Sequence, residues 1–99
     1  MLPEIQRGMK YYNFTKSLTH ARYMELVFYV KRYYEFSPAQ KKEITEIMEK
    51  CAGERYAKLI IRAIIKNIPY KSLDIPFSER SYRRIRADFF NELNEKRPL

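Results

Sequence analysis

The chain has 99 residues, of which 20 are Lys or Arg and 12 are Asp or Glu, so its formal net charge is +8. A chain of this length buries only about two thirds of the surface that it exposes when unfolded, which leaves room for one core and no second catalytic lobe. No apolar run approaches the ~20 residues of a membrane span, and the N-terminus lacks the apolar region of a signal peptide. We therefore expect a single cytoplasmic domain, residues 1–99, with a positive surface and no membrane partner.

The inventory of reactive side chains argues against an enzyme. Cys51 is the single cysteine and His20 the single histidine, so neither an internal disulfide nor a structural zinc site can form. The sequence has no glycine-rich phosphate loop and no pair of carboxylates placed to face a cleft. We expect no catalytic residues, no metal ligands and no cofactor.

In the first half, apolar residues recur at helical spacing between clear breaks. The spacing predicts a long amphipathic helix over about residues 18–35, with Tyr33 and Tyr34 on its buried stripe. Ser37 supplies the cap of the next helix, Pro38 its first position and Gln40 the partner of a capping box. Gly53 is placed to end that helix.

The sequence of the second half predicts two helices, which are separated by a segment with two helix breaks. Residues 54–67 are apolar around most of a helix, which is typical of a central helix packed on more than one side. Asn67-Ile68-Pro69 ends it, and residues 70–74 have room for little more than one helical turn. After a second break, Ser78 caps a last helix, and residues 94–99 form a polar tail. The sequence thus predicts an all-α bundle of about five helices, with an arm at 1–17 and supporting helices at 18–67.

The last helix carries the most specific chemical signal. Its first turns hold four arginines and one acid, all off the face that Tyr82, Ile85 and Phe89 predict as buried: Arg80, Arg83, Arg84, Arg86 and Glu79. The guanidinium fork pairs with phosphate oxygens or with the O6 and N7 edge of guanine, and a helix fits the major groove. Residues 50–99 hold 12 basic and 6 acidic side chains, so most of the excess charge lies in this half. The alternative interpretation is that the four arginines form a solvated helix face with no binding role.

The order of these elements is that of a helix-turn-helix unit: an apolar helix, a break, a turn of helix, a second break and a capped arginine-rich helix. The segments IPYKSL at 68–73 and IPFSERSYRRIR at 75–86 resemble the helix-turn-helix of sigma-factor region 4 and of small phage-encoded transcription regulators of the ArpU and RinA type. The resemblance covers about residues 60–93. The chain departs from the family pattern in its short helix, which is about three residues shorter than usual and is flanked by prolines.

This resemblance implies a sequence-specific DNA-binding transcription regulator, encoded by a phage or prophage, whose last helix enters the major groove of double-stranded DNA. It implies groove-facing roles for Glu79, Arg80, Arg83, Arg84 and Arg86. We expect phosphate contacts from Lys71, Ser72 and Ser78, with Lys66 as an addition.

The N-terminal half is rich in aromatic residues, with nine of the 15 between positions 11 and 36. These rings either fill the core or form a contact surface for a homodimer, RNA polymerase or another protein. The alternative function is a small interaction module or inhibitor that uses its arginines against an acidic protein partner.

Overall fold

A computed structural model describes residues 18–97 of the chain. Within that range the protein is all-helical, as predicted, with four α-helices: α1 His20–Lys31, α2 Pro38–Ala52, α3 Glu54–Lys66 and α4 Glu79–Lys96. The count of about five helices is not confirmed, because the short element between α3 and α4 is a single 3-10 turn, Tyr70–Ser72. The predicted arm at 1–17 and the last two residues lie outside the described range. Among residues 18–97, no helix combines the length and apolar character that a membrane crossing requires.

Helix α1 is shorter than predicted. It ends at Lys31, and Tyr33–Glu35 forms a 3-10 turn. A 3-10 turn advances about 120° per residue instead of about 100°, so the side chains after it leave the stripe of the preceding helix. Tyr33 stays half-buried, with its hydroxyl 3.1 Å from the hydroxyl of Thr45 on α2. Tyr34, predicted on the buried stripe, is instead 58% exposed.

Local signals set the ends of α2 and α3. Ser37 and Gln40 form the predicted capping box at the start of α2. Gly53, with φ of +92°, ends α2 and begins α3 in a left-handed backbone conformation that favours glycine. Asn67 ends α3 at φ of +56°, and the amides of Asn67 and Ile68 bond to the carbonyls of Ile64 and Ala63, the two bonds of a Schellman motif.

The core lies between two pairs of helices. Both α3 and α4 pack against α1 and against α2. The most deeply buried side chains come from all four helices, among them Leu26, Val30, Ile44, Met48, Ile60, Phe89, Phe90 and Leu93. The predicted packing face of α4 is confirmed, because Tyr82, Ile85, Phe89 and Leu93 are all buried. Helix α3 contacts both α1 and α2, but its buried residues lie on one side and the other side is exposed, so the prediction that it is apolar around most of its circumference is wrong.

Polar contacts fasten α4 to its neighbours and correct the predicted tail. The helix continues to Lys96, so residues 94–96 are helical. Asn94 accepts a hydrogen bond from Nε of Arg22 on α1 at 2.7 Å, and the Arg22 guanidinium also donates to the carbonyl of Arg97. On the α2 side, the Lys50 ammonium lies 2.8 Å from the Glu92 carboxylate. These cross-helix contacts explain why a polar sequence stays helical here.

Candidate nucleic-acid interface

The first turn of α4 is stabilised by Ser78, the predicted N-cap. Its Oγ accepts a hydrogen bond from the backbone amide of Ser81 at 3.1 Å, and its carbonyl accepts one from the amide of Tyr82 at 2.8 Å. The remaining first-turn amides give this end of the helix a partial positive charge. Both Ser78 and Ser81 are exposed, so this end of α4 faces solvent.

The four arginines of α4 differ in exposure and in their contacts, and they form three groups. Arg80 and Arg84 are exposed and make no ion pair with any residue in 18–97. They stand four residues apart on one side of the helix, about 6 Å along its axis. Arg83 is also exposed, but its guanidinium lies 2.9 Å from the carboxylate of Glu79. Arg80 and Arg84 are therefore the freest cations of the predicted set, and Glu79 offsets the charge of Arg83.

Arg86 differs from the other three arginines. It is half-buried, and its guanidinium carbon lies 5.8 Å from the centroid of the Tyr82 ring. Because Tyr82 belongs to the buried face, Arg86 sits at the edge of the packing surface and covers it. The structure does not group Arg86 with Arg80 and Arg84, although the sequence placed all of them on one exposed side.

The connection that precedes α4 is packed against the helices on both sides of it. The Tyr70 hydroxyl donates to the Phe77 carbonyl at 2.5 Å, and the Tyr70 ring lies 5.5 Å from the Tyr82 ring. Phe77 in turn packs edge-on against Tyr56 of α3 at 5.4 Å. The 3-10 turn is thereby held against the start of α4, and Lys71 and Ser72, which were predicted as phosphate contacts, are exposed.

The basic character of α4 stops at Arg86. Beyond it the exposed or half-exposed acids are Asp88, Glu92 and Glu95. The Lys50 ammonium holds the pKa of the Glu92 carboxyl below its ordinary value, through a hydrogen bond first and charge attraction second. Burial, with a smaller effect of Asp88 and Glu92, raises the pKa of the nearby Cys51 thiol to about 11. The first half of α4 therefore carries a net positive charge, whereas the second half, which also contains Lys96, carries a smaller net negative charge.

A second basic surface lies on α3 and was missed from the sequence, apart from Lys66. Four cations share one exposed side of this helix, at spacings of three, four and four residues: Arg55, Lys58, Arg62 and Lys66. None of them forms an ion pair with a residue in 18–97, whereas Lys42 and Lys50 on α2 both do. The spacing is present in the sequence, where the apolar positions of α3 form the more prominent pattern. We call these four residues the α3 stripe.

Comparison with protein-family models, with curated proteins and with solved structures gave no match. The likeness to sigma-factor region 4 and to phage regulators thus remains a prediction that is based on residues 68–86. Within 18–97, no three side chains of the metal-binding types come together in a group. The candidate site is therefore defined by the geometry of the two basic surfaces alone.

Proposed function

We propose that this protein binds double-stranded DNA and regulates transcription, with the first half of α4 lying in the major groove. The observation that carries the proposal is the division of α4 between Ser78 and Arg86. One side is anchored in the core by Tyr82 and Ile85, and the opposite side presents Arg80 and Arg84, which pair with no carboxylate among residues 18–97. A helix so anchored is a rigid support for side chains that must reach base edges.

Two groups of residues take different roles in this proposal. Arg80 and Arg84 contact bases, and Arg83 joins them once DNA displaces Glu79, which itself faces the groove. Lys71, Ser72 and the capped end at Ser78 contact phosphates on either side of the helix, which positions α4 but carries no sequence information. Arg86 packs over the Tyr82 ring and contributes only long-range electrostatic attraction to the DNA. The order of α3, 3-10 turn and α4 is the one predicted from the sequence, and twelve residues, 67–78, separate the two helices where a helix-turn-helix has about three or four.

The experiment that tests this function is selection of labelled random duplexes by the full chain at moderate salt. We expect an enriched sequence motif and an affinity that falls with salt, with a log–log slope near −0.9 for each phosphate contacted. Absence of a motif, together with unchanged binding in an Arg80→Ala, Arg84→Ala double variant, would contradict the proposal.

A second candidate function is favoured by one observation in the N-terminal half. Phe28 on α1 is 59% exposed, and an isolated exposed phenylalanine suits a protein contact better than a phosphate. In this alternative the protein is an interaction module or inhibitor, and the arginines of α4 face an acidic partner. Binding to such a partner should depend on salt much less steeply than binding to DNA, and Phe28→Ser should weaken it.

A further inference from the structure

The α3 stripe is a linear set of cations on a firmly packed support. Ala57, Ile60, Ala63 and Ile64 anchor the opposite side of α3 in the core, each no more than 2% exposed. From Arg55 to Lys66 the stripe extends about 16 Å along the helix axis. Because these cations have no carboxylate partner within 18–97, their charge is available to an external polyanion.

An exposed aromatic ring stands beside the middle of the stripe. Lys58 and Arg62 line a shallow recess of about 200 Å³ together with Tyr33, Tyr34 and Ile61. Tyr34 is 58% exposed, and its ring makes a T-shaped contact with the Tyr33 ring at 5.6 Å between centroids. One face of an aromatic ring, an apolar floor and two cations thus lie within one small surface.

Two rings line this recess, and the Tyr33 ring already has partners within the protein. Tyr34 is therefore the ring that is open to a ligand. The Tyr33 hydroxyl is paired with Thr45, and the Lys41 ammonium lies 5.8 Å from the centroid of the Tyr33 ring. Tyr34 makes no such polar contact within 18–97. The position of Tyr34 follows from the 3-10 turn that ends α1, since a continuous helix would have turned it inward.

We propose that the α3 stripe and Tyr34 bind an unpaired strand of nucleic acid, with the cations on consecutive phosphates and a base stacked on Tyr34. Proteins that bind single strands combine a basic track with aromatic rings, because every unpaired base offers a face for stacking. Bases in a duplex are stacked on one another, so an exposed ring beside the backbone would gain nothing from duplex DNA. The arginine side of α4 between Ser78 and Arg86 has no exposed ring, which separates the two surfaces chemically.

The test measures binding of a labelled oligothymidylate of about 10 nucleotides to the full chain by fluorescence anisotropy. Lys58→Gln with Arg62→Gln should lower the affinity at least about tenfold at 0.1 M salt and reduce the log–log salt slope by about 1.4. Tyr34→Ala should lower it at least about fivefold, and Tyr34→Phe should bind like wild type. All four substitutions are at surface positions, so circular dichroism should show an unchanged fold.

The matched control is Lys42→Gln with Lys96→Gln, which removes the same charge from exposed positions outside both surfaces. If this control loses as much affinity as Lys58→Gln with Arg62→Gln, the effect is one of net charge and the proposal is wrong. It is also wrong if Tyr34→Ala binds like wild type, or if a random duplex binds as tightly as oligothymidylate and responds to the same α3 substitutions. Equal competition by poly-glutamate would instead assign the stripe to an acidic protein.

This inference does not depend on α4 binding duplex DNA, and the two can fail separately. Arg80→Ala with Arg84→Ala should leave oligothymidylate binding within about twofold of wild type, while abolishing selection of a duplex motif. If the α4 variant loses oligothymidylate binding as strongly as the α3 variant, the surfaces are not distinct and the inference is overturned. If no duplex motif exists but the α3 substitutions act as expected, the proposed function fails and the α3 surface stands.

Discussion

The hydroxyl of Tyr70 donates a hydrogen bond to the backbone carbonyl of Phe77 across the connection between α3 and α4. Phe77 is the residue immediately before the N-cap of α4, and the Tyr70 ring packs beside Tyr82 one turn into the helix. This single side chain therefore joins the 3-10 turn, the cap and the buried face of α4.

Tyr70→Phe removes this hydrogen bond and keeps the ring. We expect a loss of about 1 kcal/mol in the free energy of unfolding, because the Phe77 carbonyl loses a partially buried partner. Chemical denaturation followed by circular dichroism measures the loss. Tyr34→Phe, which changes an exposed tyrosine, is the control and should leave stability unchanged; equal effects of the two substitutions would contradict a special role for Tyr70.

Ser78 allows stability and binding to be separated. Ser78→Ala removes the cap and should cost about 1 kcal/mol. Ser78→Asp keeps a capping oxygen and should retain stability, but it places a negative charge where a phosphate would lie and should weaken duplex binding.

Thr19→Asp is the charge-matched control, since Thr19 caps α1 by accepting a hydrogen bond from the Arg22 amide at 3.1 Å. Thermal unfolding and anisotropy with a selected duplex give the two readouts. Wild-type duplex affinity in Ser78→Asp would show that the start of α4 does not face DNA.

The arginines of α4 should differ in their effect on specific affinity. Replacing Arg80 or Arg84 with Ala should cost about 1–3 kcal/mol of binding to a selected duplex, because each is exposed and has no ion-pair partner in the described part of the chain. Arg83→Ala should cost less, since Glu79 already holds its guanidinium. Arg86→Ala should affect thermal stability more than specificity. Titration of each variant with matched and mismatched duplexes tests this order, and a dominant loss in Arg86→Ala would reverse it.

The Lys50–Glu92 pair makes stability depend on pH. The folded-state pKa of Glu92 lies below its ordinary value of 4.5, so the stabilisation is fully present above that value and is lost as the pH falls through the lowered pKa. Lys50 has the opposite shift, so its contribution is lost only as the pH rises through a pKa above 10.5.

Glu92→Gln should therefore lower the melting temperature at neutral pH and converge with wild type in acid. The effect should be small and should decrease with added salt, because both side chains reach solvent. Glu95→Gln, on the same helix, is the control and should show a weaker pH dependence. If the melting temperatures of Glu92→Gln and wild type still differ at a pH below the titration range of Glu92, the effect arises from packing and not from charge.

Cys51 should react slowly with thiol reagents. A pKa near 11 instead of 9.0 lowers the thiolate fraction at neutral pH about 100-fold, and the greater nucleophilicity of the remaining thiolate reduces this to about a tenfold slower reaction. Reaction with a disulfide reagent, followed by absorbance in native buffer and in guanidinium chloride, measures the difference. Equal rates in the two conditions would show that burial does not protect the thiol.

The amino-acid sequence by itself determined the elements whose causes are local. The Ser37 capping box, the breaks at Gly53 and Asn67, the cap at Ser78 and the buried face of α4 depend on residues within one or two turns of each other, and each was predicted correctly. The same periodicity identified Arg80 and Arg84 as exposed. Local hydrogen bonding and side-chain spacing are sufficient for these features.

Only the tertiary structure decided the features that depend on distant partners. The end of α1 at Lys31 accompanies the contact of Tyr33 with Thr45 on another helix, and it turned Tyr34 outward against the periodicity of the sequence. Helix α4 extends through Asn94 because Arg22, far away in the chain, bonds to it. The availability of each cation was likewise undetermined, because a charge is free or neutralised according to which carboxylates the fold brings within a few ångströms. The fold likewise decided that Arg86 is half-buried beside the Tyr82 ring, and that Tyr34 lies beside the α3 stripe.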